Sequence, residues 1–92
     1  MIKKDITKNG TIADTLDYLF KNTLARRKSD IIGYIDNRTY LHFPEMEFVE
    51  GEGNTSQIIV NYVGEPLILN VGWREVKDDE IWNYAVTSIK EQ

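Results

Sequence analysis

The spacing of apolar positions changes twice along this chain. Ile12, Leu16, Leu19, Phe20 and Leu24 recur every three or four residues, which places them on one stripe of a helix. Thr11 and Asp14 stand where a capping box would open that helix, with Asp in place of the usual Glu. Asp14 and Asp17 fall in its first turns and Arg26, Arg27 and Lys28 at its end, the order the helix dipole favours. Asp17 and Lys21 add an i,i+4 ion pair. The pattern predicts a helix over about residues 12–27.

Beyond Asp30 the period reads as two. Ile31–Ile35 and Arg38–Phe43 flank Asp36-Asn37, a dipeptide that tolerates the left-handed backbone of a two-residue hairpin turn. A first hairpin is expected there, ended by Pro44. Met46 and Phe48 alternate with Glu45 and Glu47, predicting a strand near 45–49, and Gly51-Glu52-Gly53-Asn54 predicts a loop. Gln57–Val63 and Leu67–Trp73 form a second hairpin around Gly64-Glu65-Pro66. A Gly64-Glu65 turn sets Val63 opposite Pro66 and aligns Ile58, Val60, Leu67, Leu69, Val71 and Trp73 with Tyr62 on one face. The reverse face, with Ile59, Asn61, Val63, Ile68 and Asn70, is mixed.

The last segment fits two periods. Trp82, Ala85, Val86 and Ile89 follow i, i+3, i+4, i+7 behind the acidic Asp78-Asp79-Glu80, which predicts a helix over about 79–90. Trp82, Tyr84, Val86 and Thr87 are β-prone and support a strand as the competing reading. The expected fold is α+β in a single domain, 1–92. It comprises an antiparallel sheet of four to five strands, the first helix across one face, and a C-terminal helix.

Composition fits an ordinary globular chain: 92 residues, 41% hydrophobic and 28% charged. There is no cysteine, and Met1-Ile2-Lys3-Lys4-Asp5 lacks the apolar run of a signal peptide, so a cytoplasmic location is expected. The sequons at Asn9, Asn37 and Asn54 then read as turn chemistry. No apolar run is long enough to span a bilayer, so no membrane partner is expected. The net charge of −4 is uneven. Residues 1–28 hold seven Lys/Arg against three Asp/Glu; residues 29–92 hold four against twelve.

Catalytic and cofactor chemistry finds little support. His42 is the one histidine, and without cysteine it cannot complete a zinc site. Glu45, Glu47, Glu50 and Glu52 lack the spacing of a calcium loop and read as a solvated edge. Ser29, Ser56 and Ser88 lack a nucleophile-elbow context. Gly51-Glu52-Gly53-Asn54-Thr55 has acid where a phosphate loop needs none. No enzyme activity and no cofactor are expected.

Two surfaces remain. The mixed face with Ile59, Asn61, Val63, Ile68 and Asn70, joined by acidic Glu45, Glu47, Glu50 and Glu52, suits a protein partner or a homodimer. A non-enzymatic binding or regulatory domain is the leading expectation. One concrete form is a phage- or mobile-element accessory protein that inhibits a host nucleic-acid enzyme through acidic surface. The alternative is a nucleic-acid-binding domain using Lys3, Lys4, Lys8, Arg26, Arg27 and Lys28. The bland account of the mixed face is that the C-terminal segment covers it.

Overall fold

From Met46 to the C-terminus, alternating residues and short turns send the chain back and forth as a meander. The computed structural model describes residues 12–39, 43, 45–62 and 64–92. Within them the elements are α1 (Ile12–Phe20), β1 (Leu24–Ala25), α2 (Asp30–Arg38), β2 (Met46–Glu50), β3 (Thr55–Tyr62), β4 (Glu65–Asp78) and β5 (Ile81–Glu91). The strands form one antiparallel sheet in the order β1-β5-β4-β3-β2.

The expected α+β class holds, with a five-stranded sheet and an N-terminal helix on one face. The inward residues of the sheet include Ile58, Val60, Leu69, Val71 and Trp73. Ile12, Leu16 and Phe20 of α1 and Ile31 and Ile35 of α2 join them in one buried cluster. Both helices therefore lie on the same side of the sheet. Among the described residues no helix packs on the other side. None of these helices is long and apolar enough to cross a membrane.

Four local expectations need correction. The first helix stops at Phe20 and does not run to 27. Asn22 adopts φ 70°, a left-handed stop, and the Thr23 N–H bonds back to the Phe20 carbonyl. Leu24 and Ala25 then pair with Ala85 and Tyr84 as an edge strand, so Leu24 is no longer part of a helical stripe.

The first expected hairpin is instead a helix up to Arg38. Its Ile31, Ile32 and Ile35 satisfy both periods, and burying Ile31 and Ile35 on one helical face decides between them. The Asp30 carboxylate accepts the Arg27 N–H at 3.2 Å at the front of α2, and Arg38 lies over the Tyr34 ring at 4.1 Å near its end. The rest of that hairpin, Tyr40 to His42, and the break assigned to Pro44 lie outside the described residues.

The second hairpin keeps its predicted faces with a register two residues away from the expected one. Tyr62 pairs with Glu65 and Ile58 with Leu69, so the chain reverses between Tyr62 and Glu65, where Gly64 supplies φ 82°. A shift of two preserves side-chain direction, which is why the aligned apolar face survived.

The expected C-terminal helix over 79–90 is strand β5. Asp79 and Glu80, at φ 49° and 69°, form the two-residue turn that reverses β4 into it. The helix-like spacing has a structural origin. Gly72 pairs with Ser88 and Trp73 with Val86, so Thr87 is an extra residue in a bulge. The bulge resets the alternation and lets both Val86 and Ile89, three apart, face the core.

Candidate functional site

The sheet edges are managed differently. Along β5, the Asp17 Oδ1 of α1 accepts the Ile89 N–H at 2.7 Å, and the Asn22–Thr23 backbone exchanges bonds with Val86. This edge is thus partly covered by α1 and β1. The opposite edge, β2, carries exposed Glu45, Glu47 and Glu50 on or beside it.

Direct cross-strand partners point to the same side, so the ladders fix which residues share the helix-free face. One row across it reads Glu47, Ile59, Ile68, and Gln92 continues it by donating its N–H to the Ile68 carbonyl at 2.9 Å. The next row reads Val49, Gln57, Asn70 and Lys90. Its amides are locked together: Gln57 Nε2 donates to Asn70 Oδ1 at 3.1 Å and to Gln92 Oε1 at 2.9 Å. Toward the β3–β4 turn, Asn61 pairs with Pro66. Ile59 and Ile68 face each other at the centre and are half-buried; Glu47, Asn61, Pro66 and Lys90 around them are exposed. A shallow depression of about 460 Å³ at this end of the sheet is lined by Glu45, Glu47, Ile59, Asn61 and Pro66 with their neighbours.

The structure therefore brings Ile59, Asn61, Ile68, Asn70, Glu45 and Glu47 together. Val63 lies outside the described residues. Glu50 and Glu52 do not belong to the group. Glu50 pairs with Ser56 on the helix-bearing side and Glu52 lies in the β2–β3 loop. The C-terminal segment does not cover the face, because β5 lies in the sheet beside it. Gln57, Val49, Lys90 and Gln92 were missed as members. The alternation in β2 and β3 could have supplied Val49 and Gln57; Lys90 required β5 to be recognised as a strand.

The basic set is divided. Lys3, Lys4 and Lys8 lie outside the described residues. Arg26 and Arg27 are exposed between β1 and α2. Lys28 turns inward, its side chain only 12% exposed, with Nζ 3.4 Å from Glu50 Oε1 and 3.3 Å from the Gly53 carbonyl, over the Tyr84 ring at 5.0 Å. Glu50 also accepts Ser56 Oγ at 3.4 Å, and Ser56 accepts the buried Trp73 Nε1–H at 3.2 Å. Lys28 thus ties two loops to the core, which leaves it poorly placed to meet a phosphate.

His42 lies outside the described residues. Among the described residues no cluster of three or more His, Cys, Asp or Glu side chains could hold a metal ion. Away from the sheet face, Ile81 and Trp82 are exposed at the end of the β4–β5 ribbon. No family model, curated protein or solved structure matches this chain.

Proposed function

We propose that this chain is a small non-enzymatic binding or regulatory domain whose working surface is the helix-free face of its sheet. The observation that carries this reading is the Ile59–Ile68 pair at the centre of that face, rimmed by Glu47, Asn61, Gln57 and Asn70. An apolar centre inside a polar rim is the usual anatomy of a protein interface. Glu45 and Glu47 at the β2 side add acidic charge that favours a basic counterpart. A nucleic-acid enzyme inhibited by this acidic surface is one partner of that character.

A photo-crosslinking residue at exposed Asn61 tests the reading in cells that express the chain, with Asp36 on α2 as the control position. Protein adducts are expected from Asn61, lost when Ile59 and Ile68 are both changed to Lys, and not expected from Asp36. Equal labelling from the two positions, or none from Asn61, would remove the reading. Nucleic-acid binding is the second reading, favoured by the exposed Arg26 and Arg27. It expects salt-sensitive retention of DNA or RNA that Arg26→Glu with Arg27→Glu weakens.

A further inference from the structure

We infer that the occupant of the helix-free face is a second copy of this chain, docked face to face about a twofold axis parallel to the strands between β3 and β4. The inference rests on reading that face as an interface. A twofold contact demands that each group meet the symmetry mate of the group across the axis. The β3–β4 seam meets that demand. Ile59 and Ile68 are direct partners across it, so each Ile59 would lie over Ile68 of the second copy. Gln57 and Asn70 are likewise partners and already bond to each other, so amide meets amide in the same way.

Charge selects the direction of the axis. On this face the β2 side carries Glu45 and Glu47, and the β5 side carries Lys90. An axis along the strands sets each β2 over the β5 of the other copy, with Lys90 over Val49 and one row, about 7 Å, from Glu47, twice. An axis across the strands would set Glu47 over Glu47. The face spans four strands at about 4.8 Å spacing and roughly five residues of each at about 3.4 Å. Two such faces present roughly 650 Å² of flat area in total, below the size of standard specific interfaces. The dimer is therefore expected to be weak and concentration-dependent.

Sedimentation velocity of the full chain between about 1 and 500 µM tests this range. The wild type should move from monomer toward dimer, and Ile68→Lys should stay monomeric with its melting unchanged. Glu47→Lys and Lys90→Glu should each weaken association about fivefold or more, and the double exchange Glu47→Lys/Lys90→Glu should recover most of it. Trp82→Ala, away from the face, should leave association unaltered. Should Ile68→Lys disturb folding, the exposed charge exchange still decides. A monomer throughout, a dimer indifferent to Ile68→Lys, or a double exchange no better than the single ones would overturn the inference. A monomer that still gives Asn61 adducts with other proteins in cells removes only the second copy as occupant. The absence of those adducts removes the interface reading itself.

Discussion

Asp17 shows how much one side chain can carry in a chain of 92 residues. Its Oδ1 satisfies the Ile89 N–H at 2.7 Å on the outer edge of β5, while its Oδ2 lies 3.5 Å from Lys21 Nζ. The ion pair is exposed on the lysine side and is worth little. The bond to Ile89 joins α1 to the sheet and satisfies an edge donor that would otherwise need water. Asp17→Ala should therefore cost about 2 kcal/mol, the scale of a hydrogen bond to a charged acceptor. Lys21→Ala should cost under about 0.5 kcal/mol. Urea midpoints of the two variants check this; equal losses would mean that the ion pair, and not the Ile89 bond, matters. The sequence showed Asp17 and Lys21 as neighbours on a helix. It gave no sign of Ile89, 72 positions away.

At the scale of elements, the β4–β5 turn carries backbone strain. Asp79 and Glu80 both hold positive φ, as a two-residue turn of this hand requires, and neither is glycine. A non-glycine residue in that region costs about 1 kcal/mol. Glu80→Gly should raise stability by up to about 0.6 kcal/mol, after the added freedom of the unfolded chain is subtracted. Thermal unfolding reads the gain, and a lower midpoint would argue against this turn geometry. The two faces of β3 make a sharper test. Ile58 is fully buried, and Ile59, the next residue, faces the helix-free side and is half-buried. Ile58→Ala should cost about 2–5 kcal/mol and Ile59→Ala under about 1.5 kcal/mol. Similar losses would mean that the helix-free face is covered in the folded chain. These faces were legible in the sequence because a period of two survives a register shift of two. The C-terminal strand was not, because the bulge at Thr87 places Val86 and Ile89 on the same side and imitates helical spacing.

For the whole molecule, one buried cluster draws on both helices and on strands β1, β3, β4 and β5. No element has a core of its own, so the described residues should unfold in one transition. Far-ultraviolet circular dichroism and tryptophan fluorescence should give coincident curves, since Trp73 sits in the core beside Tyr84, with ring centroids 6.4 Å apart. Separate transitions would show α1 or the β4–β5 ribbon melting independently. The same architecture accounts for the candidate surface. Among the described residues, two short helices cover one side of a five-stranded sheet and no helix covers the other.

By itself the sequence determined the α+β class, the helical state of 12–20, the alternating faces of β3 and β4, and the placing of Ile59, Ile68, Glu45 and Glu47 on the surface. Each of these follows from local periodicity and turn chemistry, which act over a few residues. Tertiary structure decided what local signals left balanced: the helical state of 30–38, the strand state of 81–91, the early end of α1 at Asn22, and the separation of Glu50 and Lys28 from the groups they resemble in charge. In each case the local preferences of two conformations were close, and burial against a distant segment tipped the choice. The pairing of β5 with β4 and the seating of Ile31 and Ile35 in the common core are contacts that no window of neighbouring residues contains.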